Sequence, residues 1–214
     1  MPTILTEKNL KGSVLSFEFS DKWQVCKYDE QSFYNAIKYQ GVKGVDFVAS
    51  SDKGLLLMEI KYILAADEKS SLRFSPDDDK DKLDTIKTLL TPTQQKTVTI
   101  KSIRPYLVDE VSNKIRDTLL GLFASYRQQE SALSPYARPL FFNHDKAILV
   151  LLFLERNEEL NRPENFKPLA DNLKLAIEQK LKFLGNIHVG VVNSLTLPSQ
   201  LGIKILDTQT RHEV

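Results

Sequence analysis

The chain has 214 residues, 42% of them hydrophobic and 27% charged, which suits one full-sized globular domain and excludes general disorder. Its 29 basic and 28 acidic residues leave a net charge of +1, so no global basic excess supplies affinity for nucleic-acid phosphates, and any such grip must be local. Cys26 stands alone, which rules out an internal disulfide and a cysteine-built zinc site.

Residues 1–10 lack the apolar run of a signal peptide. The longest apolar stretch, Ala147–Leu154, is far shorter than the roughly 20 residues a membrane span needs. A soluble, cytoplasmic protein with no membrane partner is expected. Residues 13–19 (SVLSFEF) and 23–28 (WQVCKY) read as short strands around a turn at Ser20-Asp21-Lys22. Asp29 is a plausible N-cap for a helix to about Tyr39, with Phe33, Tyr34, Ala36 and Ile37 as its buried side and Gly41 as its stop. Two strands follow, Gly44–Ser50 and Gly54–Leu64, joined at Ser51-Asp52-Lys53. A polar insertion covers about 66–95. Within it Ser75-Pro76-Asp77-Asp78 is a helix start, and Leu83, Ile86 and Leu90 supply a face to bury.

A strand is expected at 97–103, ending at Pro105. The clearest helix covers about 109–129, with Val111, Ile115, Leu119, Leu122 and Tyr126 at helical spacing. Ala147–Leu154 is apolar on both faces and reads as a central strand covered from two sides. A helix at 168–184 and a strand at 187–194 complete an α/β pattern: a central mixed β-sheet flanked by helices on both faces, forming one domain over 1–214 with its core at about 28–155.

Two strands carry an anomaly. On Gly54–Leu64 one face holds Leu56, Met58, Ile60, Tyr62 and Leu64, while the other places Glu59 and Lys61 among Leu55, Leu57 and Ile63. Ionised groups on a strand buried from both sides are costly unless paired, hydrogen-bonded or metal-bound. On the preceding strand Asp46 interrupts the face opposite Val45, Phe47 and Ala49. A loop symmetric about Asp52-Lys53 pairs residues whose numbers sum to about 105, setting Asp46 across from Glu59. Cross-strand neighbours lie roughly 5 Å apart at Cβ, close enough for two carboxylates to share a hard cation.

Asp46 followed, after a hairpin, by Glu59-Ile60-Lys61 resembles the PD-(D/E)XK motif of restriction-endonuclease-like nucleases, with Val45 in place of the proline. The helix before Asp46 and the one at 111–119 fall where that fold has helices. The resemblance implies a restriction-endonuclease-like core and a Mg²⁺-dependent nuclease, with Mn²⁺ as a substitute, in which Asp46, Glu59 and Lys61 are catalytic. It implies a metal held by Asp46, Glu59 and the carbonyl of Ile60, and an acid on the first helix, here Glu30, supporting it. Lys114 becomes a phosphate contact. The implied partner is nucleic acid, DNA in preference to RNA, with the chain acting as a homodimer or within a larger complex. Two rival readings are an inactive nuclease-fold scaffold and a partner-binding protein whose strand charges form a structural network.

Blander readings stand beside these. Glu30 serves equally as a helix-start acid, and Glu110 with Lys114 forms an i,i+4 pair that reads as a solvated salt bridge. The run Asp77-Asp78-Asp79-Lys80-Asp81 lacks the spaced glycine and acid of a calcium loop. His144, His188 and His212 make no ligand pair, and His188 reads as a satisfied structural histidine. No glycine-rich phosphate loop or Gly-x-Ser-x-Gly elbow is present.

Overall fold

A computed structural model of the chain describes residues 1–8, 14–63, 73–74, 80–97, 106–143 and 145–206. A five-stranded mixed sheet holds β3 (Gln24–Lys27), β4 (Phe47–Ser50), β5 (Gly54–Tyr62), β6 (Ala147–Glu155) and β7 (Ile187–Val192) in that spatial order. The β3–β4 and β4–β5 pairs are antiparallel, and β6 runs parallel to both β5 and β7. A three-stranded antiparallel sheet is made of β1 (Thr3–Lys8), β2 (Val14–Phe19) and β8 (Ile203–Leu206), with β2 in the middle. The helices are α1 (Ser32–Ile37), α2 (Lys80–Thr88), α3 (Pro92–Thr97), α4 (Leu107–Arg127), α5 (Ser134–Phe142), α6 (Glu158–Asn161) and α7 (Pro163–Leu181).

The two faces of the large sheet bury different partners. Val48, Leu55, Leu57, Val150, Leu152 and Leu154 meet α4, α5 and α7 through Val111, Ile115, Leu122, Ala137, Leu173 and Ile177. Phe47, Ala49, Leu56, Met58, Leu151 and Phe153 meet Leu15, Phe17 and Phe19 of β2. Phe17 sits edge-on to Phe47 at 5.8 Å and to Phe153 at 5.0 Å, a geometry aromatic quadrupoles favour. Helices on both faces were expected; the second cover is instead the small sheet. The reason lies in β2, where Leu15, Phe17 and Phe19 are buried and the residues between them are not, as in a sheet with one wetted side. For the same reason β2 and β3 are not a hairpin pair, although they flank the expected turn.

Other readings need correction. Asp29 caps no helix: α1 begins at Ser32 after Gln31, whose side chain donates to the Lys27 carbonyl. Gly41 does end the turn that follows α1, at a φ of 87°. Ile86 on α2 is exposed rather than packed. Thr97 closes α3 instead of opening a strand, and the rest of 97–103, like the Ser75-Pro76 start, lies outside the described residues. The late helix begins at Pro163, whose missing N–H costs nothing at a first position, and passes through Pro168. His188 is exposed on the outer strand β7. Among the described residues no helix is long and apolar enough to cross a membrane.

Candidate functional site

The site forms where the β4–β5 ladder stops. Its register pairs Phe47 with Met58 and Val48 with Leu57, the numbers summing to 105 as expected. One residue beyond the last pair, the chain bends at Asp46, and the carboxylate takes the place of a backbone acceptor: its Oδ2 accepts from the Ile60 amide at 2.6 Å. The strand is thus shorter than Gly44–Ser50. Because Asp46 lies in a bend, strict alternation fails there, and Val45 turns to the helical core while Phe47 faces the small sheet.

Helix α4 straps this bend down. The Asp117 carboxylate accepts from the Lys43 amide at 2.9 Å, and the buried Thr118 hydroxyl accepts from the Val45 amide at 3.0 Å. On the other side the Tyr28 amide donates to the Asp46 carbonyl at 2.8 Å. These bonds hold the backbone on both sides of the bend that presents the Asp46 carboxylate.

Glu59 is 1% exposed. Its Oε1 accepts from Lys61 Nζ at 2.8 Å and from Lys114 Nζ at 2.7 Å, while its Oε2 is buried with no hydrogen-bond partner among the described residues. Lys114 also lies 3.8 Å from Asp46 Oδ1. Lys61 bridges Glu59 to Glu110 Oε1 at 2.6 Å, and Glu110 closes on Arg73 through its other oxygen. Glu110, Lys114 and Thr118 are one turn apart on α4 and share the face turned to the sheet.

Electrostatics follow from burial. Desolvation pushes the Asp46 carboxyl up to about 7, Glu59 adds to the rise, and Lys114, the Ile60 amide and Lys61 pull it back. Burial opposes the charge on Lys61, yet Glu59 and Glu110 outweigh it and hold the ammonium above the ordinary lysine range. Burial likewise opposes the Glu110 charge, and Lys61, Arg73 and Lys114 overcome it, holding that carboxylate low. A lysine held charged cannot serve as a general base. It can hold a water or a developing negative charge.

Asp46, Glu59, Ile60, Lys61 and Lys114 thus come together. Glu30 does not: its side chain is 64% exposed and pairs with Lys27 at 2.7 Å. Its neighbour Asp29 is the acid turned inward, with Oδ1 buried and unpartnered, its carboxyl raised by burial and by Glu7, and Lys114 near enough to lower it. Glu110 and Lys114 are not a solvated pair either; each is bound to a strand charge and less than a fifth exposed. Sequence reasoning passed over the roles of Glu110, Arg73, Asp29 and Thr118. For Glu110 and Thr118 a signal existed, since both border the Val111–Ile115–Leu122 stripe. Arg73 has none, its place being set by tertiary contact alone.

Two carboxylates that share one ammonium, as Asp46 and Glu59 share Lys114, suit a hard divalent cation too. Among the described residues no group of three or more Asp, Glu, His or Cys side chains gathers, so any protein ligand set is small and completed by backbone oxygen and water, as Mg²⁺ tolerates. No family model, curated protein or solved structure matches this chain.

Proposed function

We propose that this chain is a Mg²⁺-dependent phosphodiester hydrolase of the PD-(D/E)XK kind, acting on nucleic acid. The observation that carries the reading is the pair Asp46 and Glu59, both facing the Lys114 ammonium beside Lys61, with Glu59 Oε2 buried and unpartnered among the described residues. Asp46 and Glu59 would hold the ion. On the motif resemblance the Ile60 carbonyl would be the third ligand, and in an extended strand it leaves on the same edge as the amide that reaches Asp46. Bound Mg²⁺ supplies polarisation of the phosphate and a water of lowered pKa. Lys61, clamped between Glu59 and Glu110, orients the attacking water or meets charge developing on phosphorus. Mg²⁺ as the ion, with Mn²⁺ able to replace it, and DNA as the preferred substrate come from the motif resemblance alone.

A second reading is favoured by one observation: Lys114, Glu59, Lys61, Glu110 and Arg73 already form a continuous chain of ion pairs, as a nuclease-fold scaffold without activity would. Calorimetric titration with Mg²⁺ and Mn²⁺ separates the two. A nuclease site binds the ion and loses it in Glu59→Ala and Asp46→Ala; a structural network shows no binding in any of the three proteins.

A further inference from the structure

The Lys114 ammonium stands where a cation shared by Asp46 and Glu59 would stand, 2.7 Å from one carboxylate and 3.8 Å from the other. Of the two lysines it is the more weakly held. Among the described residues Lys61 has two close carboxylates, Glu59 and Glu110, whereas Lys114 has only Glu59 within 3 Å. The two come from different elements. Lys61 rises from the end of β5 and Lys114 reaches in from α4, and the two are about equally exposed, 17% and 19%. Both ammoniums fall on Oε1 of Glu59 and leave its Oε2 without a partner among the described residues, acceptor capacity that a divalent ion would fill.

We propose that Lys114 is an exchangeable counter-ion: it neutralises Asp46 and Glu59 while the site is metal-free, and an arriving divalent cation displaces it toward the mouth of the site. The exchange keeps a cation between the two carboxylates throughout, which avoids leaving buried like charges unscreened. It also delivers a freed ammonium beside the metal only when the metal is present, where a substrate phosphate oxygen would be its next partner. Phosphate capture by this lysine is thereby conditional on cation binding. This inference rests on the metal-site reading, and its test keeps the two apart.

The test uses the full chain, as wild type and as Lys114→Met and Lys114→Gln, with Mn²⁺ as the probe at pH 8. Two signals are read: the calorimetric Mn²⁺ affinity, and the rate at which an amine-reactive acylating reagent modifies Lys114, followed by peptide mass. Both variants are expected to bind Mn²⁺ at least tenfold more tightly than wild type. In wild type, acylation of Lys114 is expected to accelerate severalfold on saturation with Mn²⁺, while Lys61 stays protected. Equal affinities together with an unchanged Lys114 rate would overturn the exchange and leave the metal site standing. No Mn²⁺ binding by any of the three proteins would remove the metal reading and the exchange with it. Should the variants fail to fold by their melting curves, the acylation rates of the wild type decide alone.

Discussion

Asp46 carries a carboxyl that burial pushes up to about 7, against an ordinary value of 3.8. In the metal-free protein the native state therefore binds more protons than the unfolded chain between those two values. Stability falls as pH rises through that window, and the loss is complete above it. Asp46→Asn keeps an acceptor for the Ile60 amide but cannot ionise, so its melting temperature relative to wild type should rise from about pH 4.5 to about pH 8. Melting curves at both values, in chelator, check this; a difference independent of pH would contradict it. Glu110 acts with the opposite sign. Its carboxylate is held low, so its contribution is present above the ordinary range and fades as acid protonates it. Glu110→Gln strips Lys61 and Arg73 of a buried partner and should cost roughly 3 kcal/mol in denaturant unfolding near neutral pH. A loss below about 1 kcal/mol would mean that solvent screens the pair.

At the scale of elements, the contact between α4 and the segment that leads into Asp46 sets the site. Gly121 on α4 faces the Tyr28 hydroxyl so closely that a Cβ there would collide with it, and that hydroxyl has no hydrogen-bond partner among the described residues. Gly121→Ala should therefore destabilise by roughly 1–3 kcal/mol through overpacking, whereas Tyr28→Phe should cost little. The double variant should recover most of the loss, because removing the hydroxyl removes the collision. Unfolding free energies of the four proteins form the cycle, and strict additivity would contradict the contact. These elements also show what was legible beforehand. The β4–β5 register could be read because a tight loop leaves an antiparallel pair little freedom, and α4 because its apolar residues recur at one period. The start of α7 was hidden by Pro163 and Pro168, which share helix positions and break positions alike. Asp29 was misread as a cap because a capping acid and an inward-facing acid look the same until the chain around them is placed. Glu30 was preferred for lying on the expected helix, which in fact starts later.

Over the whole molecule, the α/β class followed from the apolar run of β6, whose two faces could be buried only between two layers. That one layer is a second sheet could not be read, because β1 and β8 lie at opposite ends of the chain and neither has a strong pattern alone. The junction of the two sheets should be a major store of stability: Phe17 is fully buried there, and Phe17→Ala is expected to cost roughly 3–5 kcal/mol. Charge balance at this scale bears on substrate grip. With a net charge of +1 and two site lysines tied to carboxylates, few phosphates can be neutralised. Binding to duplex DNA in Ca²⁺ should therefore weaken with salt at a log–log slope of about −3 or shallower. Fluorescence anisotropy across a salt series measures it, and a slope steeper than about −5 would reveal a basic surface unaccounted for by this site.

The most direct trial of the site is cleavage itself. Purified wild type and Lys61→Ala are incubated with linear, circular and single-stranded DNA and with RNA, in Mg²⁺, Mn²⁺ or chelator, and products are resolved by length. Wild type should cut at least one substrate with either ion, stop in chelator, and lose at least about a hundredfold in rate when Lys61 is removed. Every substrate left intact by wild type in both metals, or cutting that persists unchanged in chelator, would contradict a metal-dependent phosphodiesterase built on Asp46, Glu59 and Lys61.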